Sequence, residues 1–241
     1  MRTYLFIGDT HGDLTFAKMA ARFAQQHSAE CVQLGDWGYV WPDSWPDSPS
    51  TKLKALSDEL TALGVAMRFI DGNHDDHPSL RMLSYKPVAT TIAPNVIYQP
   101  RGSVHEDADG TRFLFLGGAP SIDRAMRTKG RSWWPEEVIS DDEFDRAMST
   151  VGPIHVLVTH DAPDFPPGFS PKGSPTYRKD QEASMQKIDA LIRQHRPILH
   201  VHGHWHAHYV RRHESGTRIV GLDCNSAPFN DAVLLWSREA P

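Results

Sequence analysis

Thr3-Tyr4-Leu5-Phe6-Ile7-Gly8-Asp9-Thr10-His11-Gly12 decides the fold of this chain. Residues 4–7 are β-prone, and Gly8 ends the run where a strand must turn. A carboxylate and an imidazole follow at once, two residues apart. Working outward, residues 13–27 place Leu14, Ala17, Ala20, Ala21 and Ala24 at helical spacing. Residues 31–34 before Gly35 read as a second strand, 51–63 as a helix, and 65–70 before Asp71-Gly72 as a third strand. That β-α-β-α-β order is the signature of strands joined by helical crossovers.

The middle of the chain differs. Residues 96–98, 104–106 and 112–116 predict strands without long helices between them, with Asp109-Gly110 as a hairpin turn. A second strand–helix pair follows at 154–159 and 181–194. The end, from 198 through 209–211, 218–222 and 233–236, reads as a strand-rich meander. The pattern predicts an α/β fold of two mixed sheets flanked by helices, in a single domain over 1–241. Three long irregular segments interrupt it: 37–50, 118–135 and 161–180. Loops of that length in a compact domain tend to be functional or disordered.

Composition narrows the classes. The chain has 241 residues, 39 % of them hydrophobic, which is ordinary for a soluble protein with a real core. A formal charge of -5 argues against tight, non-specific nucleic-acid binding or a membrane-surface role. Cys31 and Cys224 are too few for a disulfide framework and read as reduced, core-packed thiols. No apolar run approaches the ~20 residues that span a membrane. The N-terminal apolar stretch is too short for a signal peptide and leads straight into Asp9, so a cytoplasmic location is expected.

Five motifs sit near ends of predicted strands, where an open α/β sheet keeps its ligand site. They are Asp9-Thr-His11, Gly35-Asp36, Gly72-Asn73-His74-Asp75, Thr159-His160 and Gly203-His204-Trp205-His206. Singly, most are weak. As an ordered set they point to two cations, because ions roughly 3.5–4 Å apart repel unless a negative oxygen ligand sits between them. A carboxylate can bridge both, and imidazoles and carboxylates suit first-row ions. Glycines beside the donors let the backbone turn sharply and come close.

This set resembles the calcineurin-like metallophosphoesterase superfamily, whose motifs occur in the same order from Asp9 to His206. The resemblance implies a four-layer α/β/β/α sandwich. It further implies one metal on Asp9, His11, Asp36 and His206, and a second on Asp36, Asn73, His160 and His204, with Asp36 as the bridge. His74 would contact the phosphate and protonate the leaving oxygen, and Asp75 would orient His74 and favour its charged form. Hydrolysis would proceed by attack of a metal-bridging hydroxide, without a phosphoenzyme. The ions are divalent or trivalent, manganese first, with iron, zinc, nickel or cobalt as alternatives.

The surroundings refine the substrate. Phosphoprotein phosphatases of the superfamily follow Gly-Asp with Asp-Arg-Gly, whereas Gly35-Asp36 here runs into Trp37-Gly-Tyr39-Val-Trp41. The missing arginine argues for a small or nucleotide-like phosphodiester, with a phosphomonoesterase or a nuclease as the alternative. A non-catalytic scaffold fits poorly, since no position of the set is missing. Trp37, Tyr39, Trp41 and Trp45 either form a platform that stacks a flat group or pack the loop onto the domain, with Pro42 and Pro46 stiffening it in both cases. Arg127 or Arg131, in the other unusual segment, is a candidate for the absent phosphate contact. His200, His202, His208, Asp161 and Asn225 are candidates for an outer shell around the ligands. His27, His105, His195 and His213 read as surface or packing residues.

Overall fold

Strand β1, Thr3–Ile7, buries both of its faces. Tyr4 and Phe6 enter one apolar cluster, while Leu5 and Ile7 enter another. A strand with no wet face needs a layer on each side, which is why its sequence is a continuous apolar run. In the computed structural model, which describes residues 2–41, 49–83 and 87–238, a second sheet lies on one side and helices lie on the other.

After β1 come α1 (Leu14–Gln26), β2 (Ala29–Gln33), α2 (Pro49–Leu63), β3 (Met67–Phe69), α3 (His77–Leu83), β4 (Thr90–Ala93) and β5 (Val96–Tyr98). The second half runs β6 (Ser103–Glu106), β7 (Arg112–Leu116), α4 (Asp141–Met148), β8 (Val156–Thr159), α5 (Pro175–His195) and β9 (Leu199–His202). It ends with β10 (Tyr209–Arg212), β11 (Arg218–Gly221), α6 (Phe229–Ala232) and β12 (Val233–Ser237). The first sheet is ordered β12-β1-β2-β3-β5-β4 and the second β10-β11-β9-β8-β7-β6. In each sheet four central strands are parallel and both edge strands antiparallel.

Three clusters separate the layers. Tyr4, Phe6, Phe113, Phe115, Val158 and Val201 fill the space between the sheets. Leu5, Ile7 and Phe69 pack with Ala17 and Ala21 of α1 and Leu56 of α2. Leu114, Leu116 and Leu157 pack with Ala147 of α4 and Ile188 and Leu191 of α5. Two mixed sheets flanked by helices, the expected α/β/β/α sandwich, is the observed architecture. Cys31 and Cys224 are buried and unpaired, as their reading required. No helix among the described residues is long and apolar enough to cross a membrane.

The structure differs from the sequence expectations at specific places. The helix expected over 181–194 begins at Pro175, because the Ser174 side chain accepts the Tyr177 N–H at 3.2 Å and proline suits the first helical position. α4 was missed although it carries a capping box, Ser140 with Glu143. α3, β4 and α6 were also missed, each seven residues or fewer and short for any periodicity to register. Trp37 and Tyr39 are buried, and the Trp37 indole stacks on Phe69 with centroids 3.8 Å apart. These two rings pack the loop; they are not a platform. Pro42, Trp45 and Pro46 lie outside the described residues.

Candidate metal centre

Parallel strands of both sheets release their donors at the same end of the sandwich. β1 leads to Asp9 and His11, β2 to Asp36 and β3 to Asn73 and His74, whereas β8 leads to His160 and β9 to His204 and His206. The site therefore straddles the seam between the sheets, at the carboxyl ends of the strands. Among the described residues, seven other than glycine have positive φ, and four of them are His11, Asp36, His204 and His206. Such backbone costs roughly 1–3 kcal/mol per residue and persists only where the surroundings over-determine it. Here they do. The His11 N–H donates to the Asp36 carbonyl at 2.8 Å, and the His204 N–H donates to the Asp9 carboxylate at 3.1 Å.

The side chains converge. His11 Nε2 lies 3.1 Å from His206 Nε2, which lies 3.1 Å from Asp9 Oδ2. Asp36 faces both halves of the site, with Oδ1 3.4 Å from His160 Nε2 and Oδ2 4.0 Å from His11 Nδ1. Asn73 Oδ1 is 3.1 Å from His160 Nε2, and the His160 and His204 rings are 5.0 Å apart. The His160 Nδ1–H donates to the Leu34 carbonyl at 2.8 Å, which leaves Nε2 as the lone-pair nitrogen facing the donors. Close approach depends on glycine: a Cβ on Gly203 would stand 2.1 Å from Asp9 Oδ1, and one on Gly72 would stand 2.2 Å from Asp36 Oδ1.

The electrostatics ask for positive charge. Asp9 and Asp36 are buried carboxylates. Burial opposes the Asp36 charge, yet His160, His74 and His11, with the His74 N–H donating at 2.6 Å, hold its carboxyl well below the usual range. Burial likewise opposes a charged His160, but Asp36 and Asp9 draw it above its ordinary value. The hydrogen bond to Asp9 raises His206, and burial drives His204 well down. Two groups of possible ligands, Asp9–His11–His206 and Asp9–Asp36–His160, each have donor atoms within 4.8 Å of one another. Nitrogens about 2.0–2.1 Å from one ion sit ~3 Å apart, matching the His11–His206 spacing. The donor set fits two first-row cations.

The neighbouring residues are placed less uniformly. Asp75 does not meet the His74 ring: its carboxylate accepts the N–H groups of Trp37 at 3.1 Å, Gly38 at 2.8 Å and Gly72 at 2.8 Å. Burial and the nearby Asp36 charge push its carboxyl up to about 7. The His74 ring meets the Arg127 guanidinium instead, and Arg127 Nε–H donates to Asp123 at 2.8 Å. Burial pushes His74 below its ordinary value, with Asp36 opposing and Arg127 reinforcing. Arg131 is exposed. Asp161 is buried and takes the Trp205 Nε1–H at 2.9 Å, the Asn225 N–H donates to the Asp9 carbonyl at 2.9 Å, and His202 accepts or donates to Tyr209 Oη at 2.7 Å. His200 bonds Thr159, whereas His208 Nδ1 lies 3.0 Å from Asp231 Oδ1.

Sequence reasoning missed a relay behind Asn73. Its Nδ2–H donates to Ser121 Oγ at 3.0 Å, and Ser121 Oγ–H donates to the fully buried Glu137 at 2.6 Å. That relay points the amide oxygen of Asn73 toward His160. No local pattern marks Glu137, because its partner lies 16 residues back and its burial is a tertiary property.

Known proteins share this fold. The sequence matches the family described as calcineurin-like phosphoesterase over residues 2–208. A dimetal phosphatase from Danio rerio superposes with a TM-score of 0.62 at 13 % identity, covering 97 % of this chain and 91 % of that one. The protein TT1561 of Thermus thermophilus superposes with a TM-score of 0.53 at 15 % identity, covering 92 % and 89 %. At such identities the likeness shows the fold alone. No curated protein matches the sequence at a significant level. By the family match across most of its length, the chain belongs to the calcineurin-like phosphoesterases.

Proposed function

We propose that this protein is a dinuclear metal-dependent phosphodiesterase that acts on a small or nucleotide-like ester. The observation that carries the reading is the cleft at the donors: about 730 Å³, it is lined by Asp36, Asn73 and His204 and also by Tyr177, Arg178 and Gln181 of α5. A diester carries a substituent on each side of phosphorus and needs that room. Its single negative charge also suits a site where Asp123 already offsets the Arg127 cation.

One cation would be held by Asp9, His11, Asp36 and His206, and the other by Asp36, Asn73, His160 and His204. When bound, the ions lower the pKa of water and offset charge on the phosphoryl oxygens. The protein supplies the rest. His74 contacts the phosphate and gives a proton to the leaving oxygen; an arriving anion draws its imidazole toward the cationic form that can do so. Arg127 brings a guanidinium to the same oxygens, replacing the arginine absent after Asp36. Asp75, by gathering three backbone N–H groups, positions the turns that carry Asp36 and Asn73.

Metal-stripped protein reloaded with Mn²⁺ is expected to hydrolyse bis-p-nitrophenyl phosphate faster than p-nitrophenyl phosphate. Asp36→Asn is expected to lose activity and bind metal weakly, because the bridge loses its charge. A monoester preference would replace the diester reading by a phosphatase. Full activity of Asp36→Asn would sink the two-metal assignment.

A further inference from the structure

Besides the candidate donors, the cleft has two kinds of lining. One is an aromatic wall of Phe165, Phe169 and Trp205. Both phenyl rings meet the Trp205 indole edge to face, with centroids 5.5 and 5.3 Å away. The indole is fixed, since its Nε1–H donates to Asp161 Oδ1 at 2.9 Å while Gln181 and Ser184 of α5 donate to Asp161 Oδ2 at 2.8 and 2.7 Å. Phe169 is 42 % exposed, and Ile122, on the cleft's other long loop, is 56 % exposed. None of these four side chains belongs to the apolar clusters that hold sheets and helices together. Packing the fold does not explain them.

Another part of the lining is cationic. Lys172, Arg178 and Lys179 border the same cleft and are exposed, and among the described residues none of the three is paired with a carboxylate. Glu182 also lines the cleft. The two irregular segments meet over this arm: Arg124 pairs with Asp180 at 2.7 Å, and a Cβ on Gly173 would lie 3.4 Å from Ile122 Cγ1. Rigid aromatic faces accept a flat ring with little loss of side-chain freedom, and unpaired cations accept phosphate.

Building on the phosphoesterase reading, we infer that this arm is a substrate subsite for a nucleotide-type ester bearing a second phosphate. The base seats on Phe165, Phe169 and Trp205, and the second phosphate is taken by Lys172, Arg178 and Lys179. Ring recognition thus belongs to Phe165, Phe169 and Trp205, and not to the buried Trp37 and Tyr39.

Calorimetric titration of Mn²⁺-loaded protein with ribose 5-phosphate, adenosine 5′-phosphate and adenosine 5′-diphosphate tests this. The base is expected to tighten binding at least about fivefold, the lower end of ring stacking, and the second phosphate is expected to tighten it further. Phe169→Ala should erase the first gain and keep the second. A Lys172→Ala, Lys179→Ala double variant should do the reverse, which separates the lysines from phosphate held by the ions alone. All three exchanges are at exposed positions, and circular dichroism checks the fold. Equal affinities in the parent protein, or gains that survive both variants, would overturn the subsite. Binding is read whether or not an ester is cut: the expected ratios without turnover of bis-p-nitrophenyl phosphate would leave the subsite and remove the phosphodiesterase reading, whereas turnover with flat ratios would do the opposite.

Discussion

His74 sits between charges of opposite sign, with its backbone N–H on Asp36 and its ring against Arg127. Its place in Gly72-Asn73-His74-Asp75 marks it in the sequence. Its partner does not follow from that motif, because Arg127 lies 53 residues away and one arginine in a loop looks like another. His74→Ala should retain both metal equivalents and lose roughly 10²–10⁴-fold in turnover, most for poor leaving groups. Arg127→Ala should lose about 10–100-fold in kcat/KM, the worth of a charge-assisted hydrogen bond to phosphate. Steady-state kinetics beside metal analysis separates these outcomes: normal metal content with unchanged kcat/KM in the Arg127 variant would remove it from phosphate binding.

At the scale of elements, the segment after Asp36 shows where pattern reading stops. Four aromatics beside a ligand allow a stacking platform or a packed loop, and the sequence does not choose between them. The structure chooses by placing Phe69 of β3 under Trp37, with ring planes 16° apart, and Tyr39 4.8 Å away at 61°. The Trp37 backbone N–H donates to Asp75, so the turn that bears Asp36 is held by this bond as well as by the packed indole. Removing it leaves a large void beside that turn. Trp37→Ala should cost about 3–5 kcal/mol in urea unfolding, together with weakened metal binding. A loss below ~1 kcal/mol would mean that the indole carries little of the packing.

At the scale of the molecule, stability should depend on pH through buried histidines. Burial, with Arg101 reinforcing and Asp71 opposing, pushes His77 down to about 3. Its imidazole takes a proton near ~6.5 in the unfolded chain. The unfolded chain therefore binds more protons below that value, and stability that is fully present above pH ~6.5 is lost progressively toward pH ~3. His200, pushed well down by burial, acts in the same direction. Burial opposes the charge of Asp71, but Arg101 and His77 hold its carboxyl low, so its contribution is lost only below about pH 4. The urea midpoint should fall between about pH 7 and pH 5, and His77→Gln should flatten part of that slope. A slope unchanged by the substitution would show that His77 is not among the groups that charge on unfolding.

The local pattern of the chain was sufficient for the paired sheets and for the place of the candidate donors at their strand ends, and for a physical reason. Strands buried on both faces must be continuous apolar runs, as at Thr3–Ile7 and Arg112–Leu116, and a donor at a strand end needs a glycine beside it to come close. Those constraints act within a few residues, so they are written in order along the sequence. The partners of the donors are not. Glu137 behind Asn73, Arg127 against His74, the Trp37 and Gly38 N–H groups on Asp75 and the wall of Phe165, Phe169 and Trp205 join segments from distant parts of the chain. Burial and hydrogen bonding between such segments exist only once both sheets have closed on their seam, and it is that closure which decides how the cleft is lined.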